Sequence, residues 1–480
     1  MKRTVVAAPT APTALTALTA MDRWTARECA AHVKEGGCSA EAVASHFIAR
    51  VQRLNPALNA LVQFDADAVM AEARQVDARL AAGEALPMAG VPVTVKDNLW
   101  VAGRTITQGS RLFVDFRAPR DAWAVARLRR LGAVVLGITN CSEFACKGVT
   151  DNLVYGATRH PLDPSLTPGG SSGGAVAALA ARLGLLALGT DAGGSVRRPA
   201  AHCGLVGHKP TQGLIAHPWG FAEPNYGVSV VGLLARDVGD CAWLFDMLSG
   251  FDASDASAPP LDVDWQAEAA VRCEPPRDLR IAWSPQLGCD FAIDADVLAK
   301  LTERVQALRA AGWAVTEVDP DWREAVRAYP INALQHAGLH ALYGQQIQHR
   351  RQDIDGHLAA QVDAGAASTP ADLAAAVRQR EPIVASLARF FQQHDLLLCP
   401  TAPVTAWSIE QIGPALIGGQ PANPRGHAVF TPLFNLCGVP ACSVPAGLVR
   451  GLPVGLQVVA PKFEDARVLQ MAALLERLAP

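Results

Sequence analysis

Lysine is scarce in this sequence. Of the 42 basic residues, only seven are lysines and the others are arginines. Arginine stays protonated at any working pH and cannot act as a base, whereas a buried lysine can. A lysine kept at the end of a buried strand is therefore evidence for a proton carrier.

An excess of one charge is also missing, since the formal net charge is −3. This balance argues against partners that bind through charge, such as nucleic acid or an anionic membrane surface.

Long apolar runs and paired cysteines are missing as well. No apolar run reaches the roughly 18 residues that a membrane span needs. The eleven cysteines are scattered singly, without a CxxC pair, and their number is odd. This pattern predicts a reduced, cytoplasmic chain with buried thiols. Cys141, Cys146 and His160 lack the spacing of zinc ligands, so we expect the two thiols to be packing residues and predict no metal site.

The first twenty residues are rich in alanine and threonine, with two basic residues near Met1. A cleaved export signal needs a continuous apolar region, and Pro9 and Pro12 interrupt this one. We therefore predict a flexible N-terminal arm over residues 1–20, with an export signal as the alternative.

Strand and helix patterns alternate along the first half of the chain. Half of the 480 residues are apolar, which is enough for a large core. Buried strands are predicted at residues 89–99, 133–140 and 185–191, and helices at 121–132 and 173–184. This order predicts an α/β fold with a large mixed central β-sheet covered by helices on both faces.

The organisation of the whole chain follows from where these patterns stop. Before residue 395 a long stretch shows only helical patterns, and strands return after it. We predict a single domain over residues 21–480, with its core at 60–250 and 395–480 and a mainly helical insertion at about 290–395. A further helix is expected near residue 40, with Ser39 as its N-cap.

A glycine-rich run from residue 169 to 173, GGSSG, fits the G-x-S-x-G pattern of a nucleophile elbow. Such an elbow requires a preceding strand, but a turn-rich loop with several prolines precedes this run. The alternative is a glycine-rich turn before a helix, in which Ser171 or Ser172 only caps the helix. The run by itself favours the turn.

A second serine follows three small residues in the stretch TDAGGSVRR. Small residues let a backbone approach a ligand closely, so residues 192–194 could direct N–H groups at an oxyanion. Ser195 behind them is a candidate nucleophile if a base lies near it. Lys96, directly after a buried strand, is the candidate base. Lys209 is its rival, although a turn context favours a structural role for it.

The stretch from Thr167 to Gly213 resembles the signature of the amidase signature family. GVPVTVKDN resembles the family's lysine segment, and GAVVLGITNCSEFA and YGATRHPLDP resemble the segments leading into the signature. DLLLCPTAPV, FTPLFNLCGVPACSVPAGL and GLPVGLQVVAPKFEDARVLQ resemble its C-terminal third. The resemblance covers most of residues 39–250 and 395–478. Each piece is weak alone, but the combination is specific and implies the amidase signature fold.

The resemblance implies roles for the matching residues. Lys96 matches the family's catalytic lysine, Ser171 its bridging serine and Ser195 its acylated nucleophile. In the family the peptide bond that corresponds to Gly170–Ser171 is cis. The implied oxyanion residues are Ala192, Gly193, Gly194 and Ser195, and the implied supporting residues are Gly170, Ser172, Asp191 and Arg197. The sequence departs from the residues usual in the family at Ala175, Ala192, Arg198 and His208. Arg198 replaces an apolar residue and indicates an altered local network.

These roles imply hydrolysis of the C–N bond of a linear amide through an acyl-enzyme, with no metal or organic cofactor. The expected partners are a small-molecule amide and water, without nucleic acid or membrane, and a homodimer is the candidate assembly. Two other functions remain open. One is a glutamine-dependent amidotransferase A-type subunit, which needs partner chains. The other is a catalytically silent binding protein on the same fold.

Four aromatic residues bear on the substrate. Trp219, Phe221 and Tyr226 lie close together after the signature, and Trp407 follows the segment CPTAPVTA. An apolar cleft lined by these rings would accept a lipophilic aryl or alkyl amide, and the same relay would cleave a carbamate or an ester. The alternative is that the four rings are core or surface packing.

Overall fold

The computed structural model describes residues 19–261, 263–322, 326 and 330–479. The predicted arm therefore lies almost wholly outside the described residues.

The described helices are α1 (Ala20–Arg23), α2 (Ala26–Lys34), α3 (Ala40–Leu58), α4 (Ala66–Ala81), α5 (Trp123–Arg130), α6 (Gly173–Ala180), α7 (Arg197–Cys203), α8 (Val238–Leu248), α9 (Ala267–Ala270), α10 (Ala295–Ala310), α11 (Pro330–His349), α12 (Gly356–Ala366), α13 (Pro370–Gln393), α14 (Pro432–Leu436) and α15 (Asp465–Arg477). The described strands are β1 (Leu61–Gln63), β2 (Pro92–Lys96), β3 (Val134–Thr139), β4 (Leu186–Asp191), β5 (Val206–Lys209), β6 (Val230–Ala235), β7 (Ile281–Trp283), β8 (Val315–Glu317), β9 (Leu396–Pro400), β10 (Leu416–Ile417), β11 (Gln420–Pro421), β12 (Ala441–Val449) and β13 (Leu452–Val459).

Eleven of the described strands form one mixed sheet. Their order across the sheet is β1-β3-β2-β4-β6-β5-β12-β13-β9-β7-β8. β2 runs parallel to β3 and β4, and β7 runs parallel to β8 and β9. The other neighbours are antiparallel. Helices cover both faces, which confirms the predicted fold class.

The central strands form where short apolar runs are buried on both faces, as in β3, β4 and β6. The helices begin where a side chain caps them. Ser39 Oγ accepts a hydrogen bond of 3.0 Å from the amide of Ala42, as predicted for the start of α3. Asp237 caps α8 in the same way, with a bond of 2.8 Å from the amide of Asp240.

In its described residues, the stretch predicted as a mainly helical insertion contributes four helices, α10 to α13, and one sheet strand. α11 packs on both α12 and α13, α10 packs on β12, and β8 extends the edge of the sheet beside β7. α11 and α12 share a small apolar core with a loop of the main body, in which the Phe144 ring stacks on Tyr343 at 4.5 Å. This packing sets the insertion against the loops at the end of β3. The division of the chain into domains stays a prediction.

The sequence analysis did not predict β1, β5 or β6, and it missed one further pair of strands. β10 and β11 form a two-stranded hairpin inside the glycine- and proline-rich segment 413–426, which has a loop-like composition. Two-residue strands are too short to show an alternating pattern.

Among the described helices, none is long and apolar enough to cross a membrane.

Helix α6 can approach the sheet closely because its first residues are glycines. A Cβ atom at Gly174 would lie 2.4 Å from the backbone nitrogen of Asn140 and 2.7 Å from the carbonyl oxygen of Ala60. Backbone atoms cannot move aside as a flexible side chain can. The glycine thus sets the position of α6 and of the residues just before it.

We expect Gly174→Ala to destabilise the protein by about 1–3 kcal/mol, because the added methyl group forces backbone apart. The measurement is the urea midpoint of unfolding. Gly356→Ala is the matched control, since nothing lies within 4 Å of a Cβ atom built at that helical glycine. Equal midpoints for the two variants would contradict this account of α6.

Candidate active site

The site lies where two parallel strands end side by side. Lys96 is the last residue of β2, and Asp191 is the last residue of β4. Because β2 and β4 are parallel neighbours, their carboxyl ends reach the same edge of the sheet. In α/β sheets this edge is where ligands usually bind. The glycine-rich run before α6 and the loop between β4 and α7 both reach this edge.

Lys96 is fully buried and hydrogen-bonded to two hydroxyl groups. Its Nζ donates to Ser171 Oγ at 2.7 Å and to Thr190 Oγ1 at 3.0 Å. Thr190 Oγ1 also accepts a bond of 2.8 Å from Asn98 Nδ2. Burial lowers the pKa of Lys96 to about 8. About one tenth of the amine is therefore neutral at pH 7, and this neutral form can accept a proton.

The rival lysine is buried too, but it contacts no serine hydroxyl in the described residues. Lys209 Nζ donates to the carbonyl oxygen of Pro210 at 2.9 Å. Burial lowers the pKa of Lys209 to about 7. A lowered pKa alone therefore does not separate the two lysines, whereas their contacts do.

The glycine-rich run holds Ser171 against Lys96. The peptide bond between Gly170 and Ser171 is cis, as the resemblance implies. Gly170 has no room for a side chain, because a Cβ atom there would lie 2.9 Å from the carbonyl oxygen of Lys147. The amide of Ser172 donates to the carbonyl oxygen of Ser195 at 3.2 Å, which ties this run to the second serine loop.

The loop from Ala192 to Ser195 carries the second serine, which is 8% exposed. Gly194 has a φ of +105°, and a Cβ atom there would lie 2.1 Å from Thr431 Oγ1. Only glycine fits this position. The amide of Gly194 donates to Asp191 Oδ1 at 2.6 Å, so this predicted oxyanion donor is already engaged. Within the described residues, the amides of Ala192, Gly193 and Ser195 have no hydrogen-bond partner and are the remaining candidates.

A buried ion pair supports the loop. Arg197 and Asp191 are both fully buried, and Arg197 Nη2 donates to Asp191 Oδ1 at 2.9 Å. Asn435 Nδ2 donates to the same carboxylate oxygen at 2.9 Å, and Arg197 Nη1 donates to Gln457 Oε1 at 2.7 Å. Burial raises the pKa of Asp191, but Arg197 and these donors outweigh burial and hold it well below its usual range.

Arg198 binds the loop that carries Ser195. Its guanidinium donates to the carbonyl oxygen of Gly193 and, at 3.2 Å, to Thr431 Oγ1. Thr431 Oγ1 donates to the same carbonyl oxygen at 2.8 Å. These bonds orient the peptide that links Gly193 to Gly194.

Two cavities meet at Ser195. The larger has a volume of about 250 Å³ and the smaller about 60 Å³. Apolar side chains from distant segments form much of the larger cavity's wall, which includes Ala145, Phe291, Ile331, Ala428, Val429 and Pro432. Its charged side chains are Lys147, Arg198 and Arg425. Lys147 is paired with Asp151 at 2.6 Å and with Asp355 at 2.9 Å.

Of the four aromatic residues expected at the substrate, the structure brings only Phe221 to a cavity beside Ser195. Trp219 stacks under Arg120 at 5.1 Å, and Tyr226 is 45% exposed. Trp407 packs between His202 and His427. Proximity in sequence to the signature did not predict these positions, because the loop turns the neighbouring rings to different sides.

The sequence analysis missed the polar residues around the triad and most of the cavity wall. Thr190 directly precedes Asp191, so its place in the motif was an available signal. Asn435, Gln457 and Thr431 are more than 200 residues away from Arg197 and carry no local signal.

Within the described residues, no group of three His, Cys, Asp or Glu side chains is arranged to hold a metal ion. The eleven cysteines, all of which lie in the described part of the chain, form no disulfide.

Comparison with known proteins identifies the family. The profile of the amidase family matches residues 42–469. A glutamyl-tRNA(Gln) amidotransferase subunit of Symbiobacterium thermophilum is 34% identical over 472 residues, which cover 91% of this chain and 93% of that protein. An acylamidase of Rhodococcus erythropolis is 35% identical over 464 residues, which cover 95% of each chain.

A solved structure extends the similarity to the fold. A bacterial aryl acylamidase of the amidase signature family matches with a TM-score of 0.87 at 26% identity, over 95% of this chain and 96% of that one. The similarity thus spans the central sheet, the glycine-rich run and the C-terminal strands together. This chain belongs to the amidase signature family.

Proposed function

We propose that this protein is an amidase that hydrolyses the C–N bond of an amide through Ser195, Ser171 and Lys96. The observation that carries the proposal is the buried hydrogen bond of 2.7 Å between Lys96 Nζ and Ser171 Oγ. A lysine whose pKa is about 8 can be neutral at working pH and accept a proton. Ser171 can pass that proton on, because a hydroxyl group both donates and accepts.

In the acylation step, neutral Lys96 takes the Ser171 proton while Ser171 takes the proton of Ser195. Ser195 Oγ bonds to the carbonyl carbon and the C–N bond breaks. The leaving nitrogen receives a proton from Ser171, which regains one from Lys96. Water then repeats the attack on the acyl-enzyme and releases the acid. The prediction that no metal or organic cofactor takes part stays a prediction.

The described residues show no hydrogen bond between the hydroxyl groups of Ser171 and Ser195. Catalytic hydrogen bonds often tighten only when substrate is bound. The proposal therefore includes a small rotation of the Ser195 hydroxyl as the carbonyl group enters. The amides of Ala192, Gly193 and Ser195 would stabilise the oxyanion, and such donors are each worth about 3 kcal/mol.

The proposed substrate is an amide with a lipophilic acyl group. Its support is the apolar wall of the larger cavity, formed by side chains such as Phe291, Ile331 and Val429. The names of the acylamidase relative and the aryl acylamidase structure support amide cleavage as the reaction. Carbamates and esters of similar shape offer the same carbonyl carbon to Ser195.

A second candidate function is that of one component of an amidotransferase. Its support is the name shared by many of the relatives, which are subunits of glutamyl-tRNA(Gln) amidotransferases. This function would require glutamine as the amide and partner chains for the protein. The third candidate is a catalytically silent binding protein, in which Ser195 would not react with a covalent probe.

Ser195→Ala should lower amide hydrolysis by at least about 10⁴-fold, because the acyl group then has no nucleophile to bond. Labelling by a fluorophosphonate probe should vanish in the same variant, while the thermal midpoint of unfolding stays unchanged. The wild-type chain should be labelled at Ser195, which a silent binding protein would not show. A label found on Ser171 would favour the nucleophile elbow instead.

The kcat/KM of the wild-type protein should rise about tenfold per pH unit below pH 8 and level off above it. The reason is that the neutral, proton-accepting form of Lys96 accumulates as pH rises through its pKa of about 8. Lys96→Ala should lower kcat/KM by about 10²–10⁴-fold.

Lys209→Met is the control for this pH profile. It removes an equally buried lysine that contacts no serine hydroxyl among the described residues, so the rise with pH should persist. If Lys209→Met abolishes the rise and Lys96→Ala leaves it intact, Lys96 is not the base.

Hexanamide should be preferred over free glutamine by at least tenfold in kcat/KM, which is about 1.4 kcal/mol of transition-state binding. The reason is that the apolar wall of the larger cavity is complementary to the hexanoyl chain. The measurement is ammonia release from each amide by the purified chain. Preference for glutamine, together with co-purifying partner chains from the native source, would establish the amidotransferase instead.

A further inference from the structure

Two cavities of unequal size flank Ser195, and the proton relay opens into only one of them. Ser195 and Ala192 line both cavities, whereas Ser171 and Thr190 line only the smaller one. Gly193 and Arg198 line only the larger one. The two sides of the nucleophile therefore differ in their chemistry as well as in their volume.

We propose that the smaller cavity receives the leaving amine and the larger cavity receives the acyl group, so that the substrate is a primary amide or an amide of a very small amine. This inference rests on the proposed function. When the C–N bond breaks, the nitrogen takes the electron pair of that bond and a proton from Ser171 Oγ. The nitrogen must then lie within about 3.2 Å of Ser171 Oγ, on the side of the smaller cavity.

The volume of the smaller cavity limits what the nitrogen can carry. The 60 Å³ of this cavity is about a quarter of the 250 Å³ of the larger one, so we expect it to receive the smaller of the two groups attached to the carbonyl carbon. The six-carbon ring of an anilide would have to displace part of its wall. Ammonia or methylamine fits.

The wall of the smaller cavity is packed tightly and leaves little room to expand. The Phe221 ring forms part of this wall. Its centroid lies 5.0 Å from the ring centroid of Phe113 and 4.9 Å from that of Phe116. Trp100 adds a third contact to Phe221 at 5.7 Å. Moving the Phe221 ring would break all three contacts, so the aromatic cluster keeps the cavity small.

The polarity of the smaller cavity also suits a small amine. Glu223 lines it and is held by two bonds, from Ser229 Oγ at 2.6 Å and from the amide of Gly227 at 2.8 Å. A fixed carboxylate favours a nitrogen that becomes an ammonium ion after it departs. The larger cavity has cations and no acidic side chain among its described lining residues, and its apolar side chains suit the carbon chain of an acyl group.

The test uses three amides with one acyl group: hexanamide, N-methylhexanamide and hexananilide. Their kcat/KM values, measured by hexanoate release, should fall in that order, with at least a tenfold loss from hexanamide to hexananilide. Aniline is the best leaving group of the three, so chemical reactivity alone would give the opposite order. All three form the same acyl-enzyme, and the differences therefore report on the amine side.

Phe221→Ala should enlarge the smaller cavity and raise the ratio of hexananilide to hexanamide at least tenfold. Phe390→Ala is the matched control, because Phe390 also packs among other rings, those of Phe391 and His394, but lines neither of the two cavities beside Ser195. It should leave the ratio unchanged. If Phe221→Ala does not fold, Phe221→Leu should shift the ratio in the same direction.

Ile331→Trp tests the acyl side, since Ile331 lines only the larger cavity of the two. It should lower kcat/KM for hexanamide relative to acetamide at least tenfold without changing the ratio of hexananilide to hexanamide. Hexananilide equal to or better than hexanamide, with no effect of Phe221→Ala, overturns the assignment and leaves the proposed function standing. No hydrolysis of any amide and no acylation of Ser195 overturns both.

Discussion

The buried ion pair between Asp191 and Arg197 is the interaction on which the site depends. It joins the end of β4 to the start of α7, and the loop between them carries Ser195. Asn435 from α14 and Gln457 from β13 bind the same pair, so the loop is tied to the C-terminal third of the chain. Removing one partner of a buried pair costs about 3–5 kcal/mol and leaves the other charge uncompensated. The pair thus fixes the loop in one shape before any substrate arrives.

Burial acts in opposite ways on the two ionisable groups at the strand ends. Both Lys96 and Asp191 are fully buried, but only Asp191 has a full counter-charge in contact with it. Arg197 keeps the pKa of Asp191 low, so that its carboxylate stays charged and organises the loop. Lys96 meets two hydroxyl groups instead, and burial lowers its pKa to about 8. One group is thereby suited to structure and the other to proton transfer.

The walls around Ser195 come from segments that are far apart in the chain. The smaller cavity is closed by Phe221 and the aromatic rings behind it, and the larger one by α11 and the residues that precede α14. Lys147, beside the glycine-rich run, is paired with Asp355 at the start of α12. This pair holds the helical segment against the site. The sheet edge that ends in Lys96 and Asp191 and the walls of the two cavities are in this way separate parts of the structure.

Local patterns in the sequence by themselves determined the alternation of strands and helices, the mixed sheet and the glycine-rich loops that reach its edge. Burial of short apolar runs and capping of helices act over a few residues, so these features can be read without the fold. The scarcity of lysine singled out Lys96, but Lys209 is equally buried, and in the structure their different hydrogen-bond partners separate the two. The tertiary structure alone decided that Gly194 donates to Asp191, that Arg198 orients Gly193, and that Phe221 reaches the cavity while Trp219, Tyr226 and Trp407 do not. Each of these outcomes depends on where a side chain or amide meets residues from other turns and strands, and no local pattern encodes that meeting.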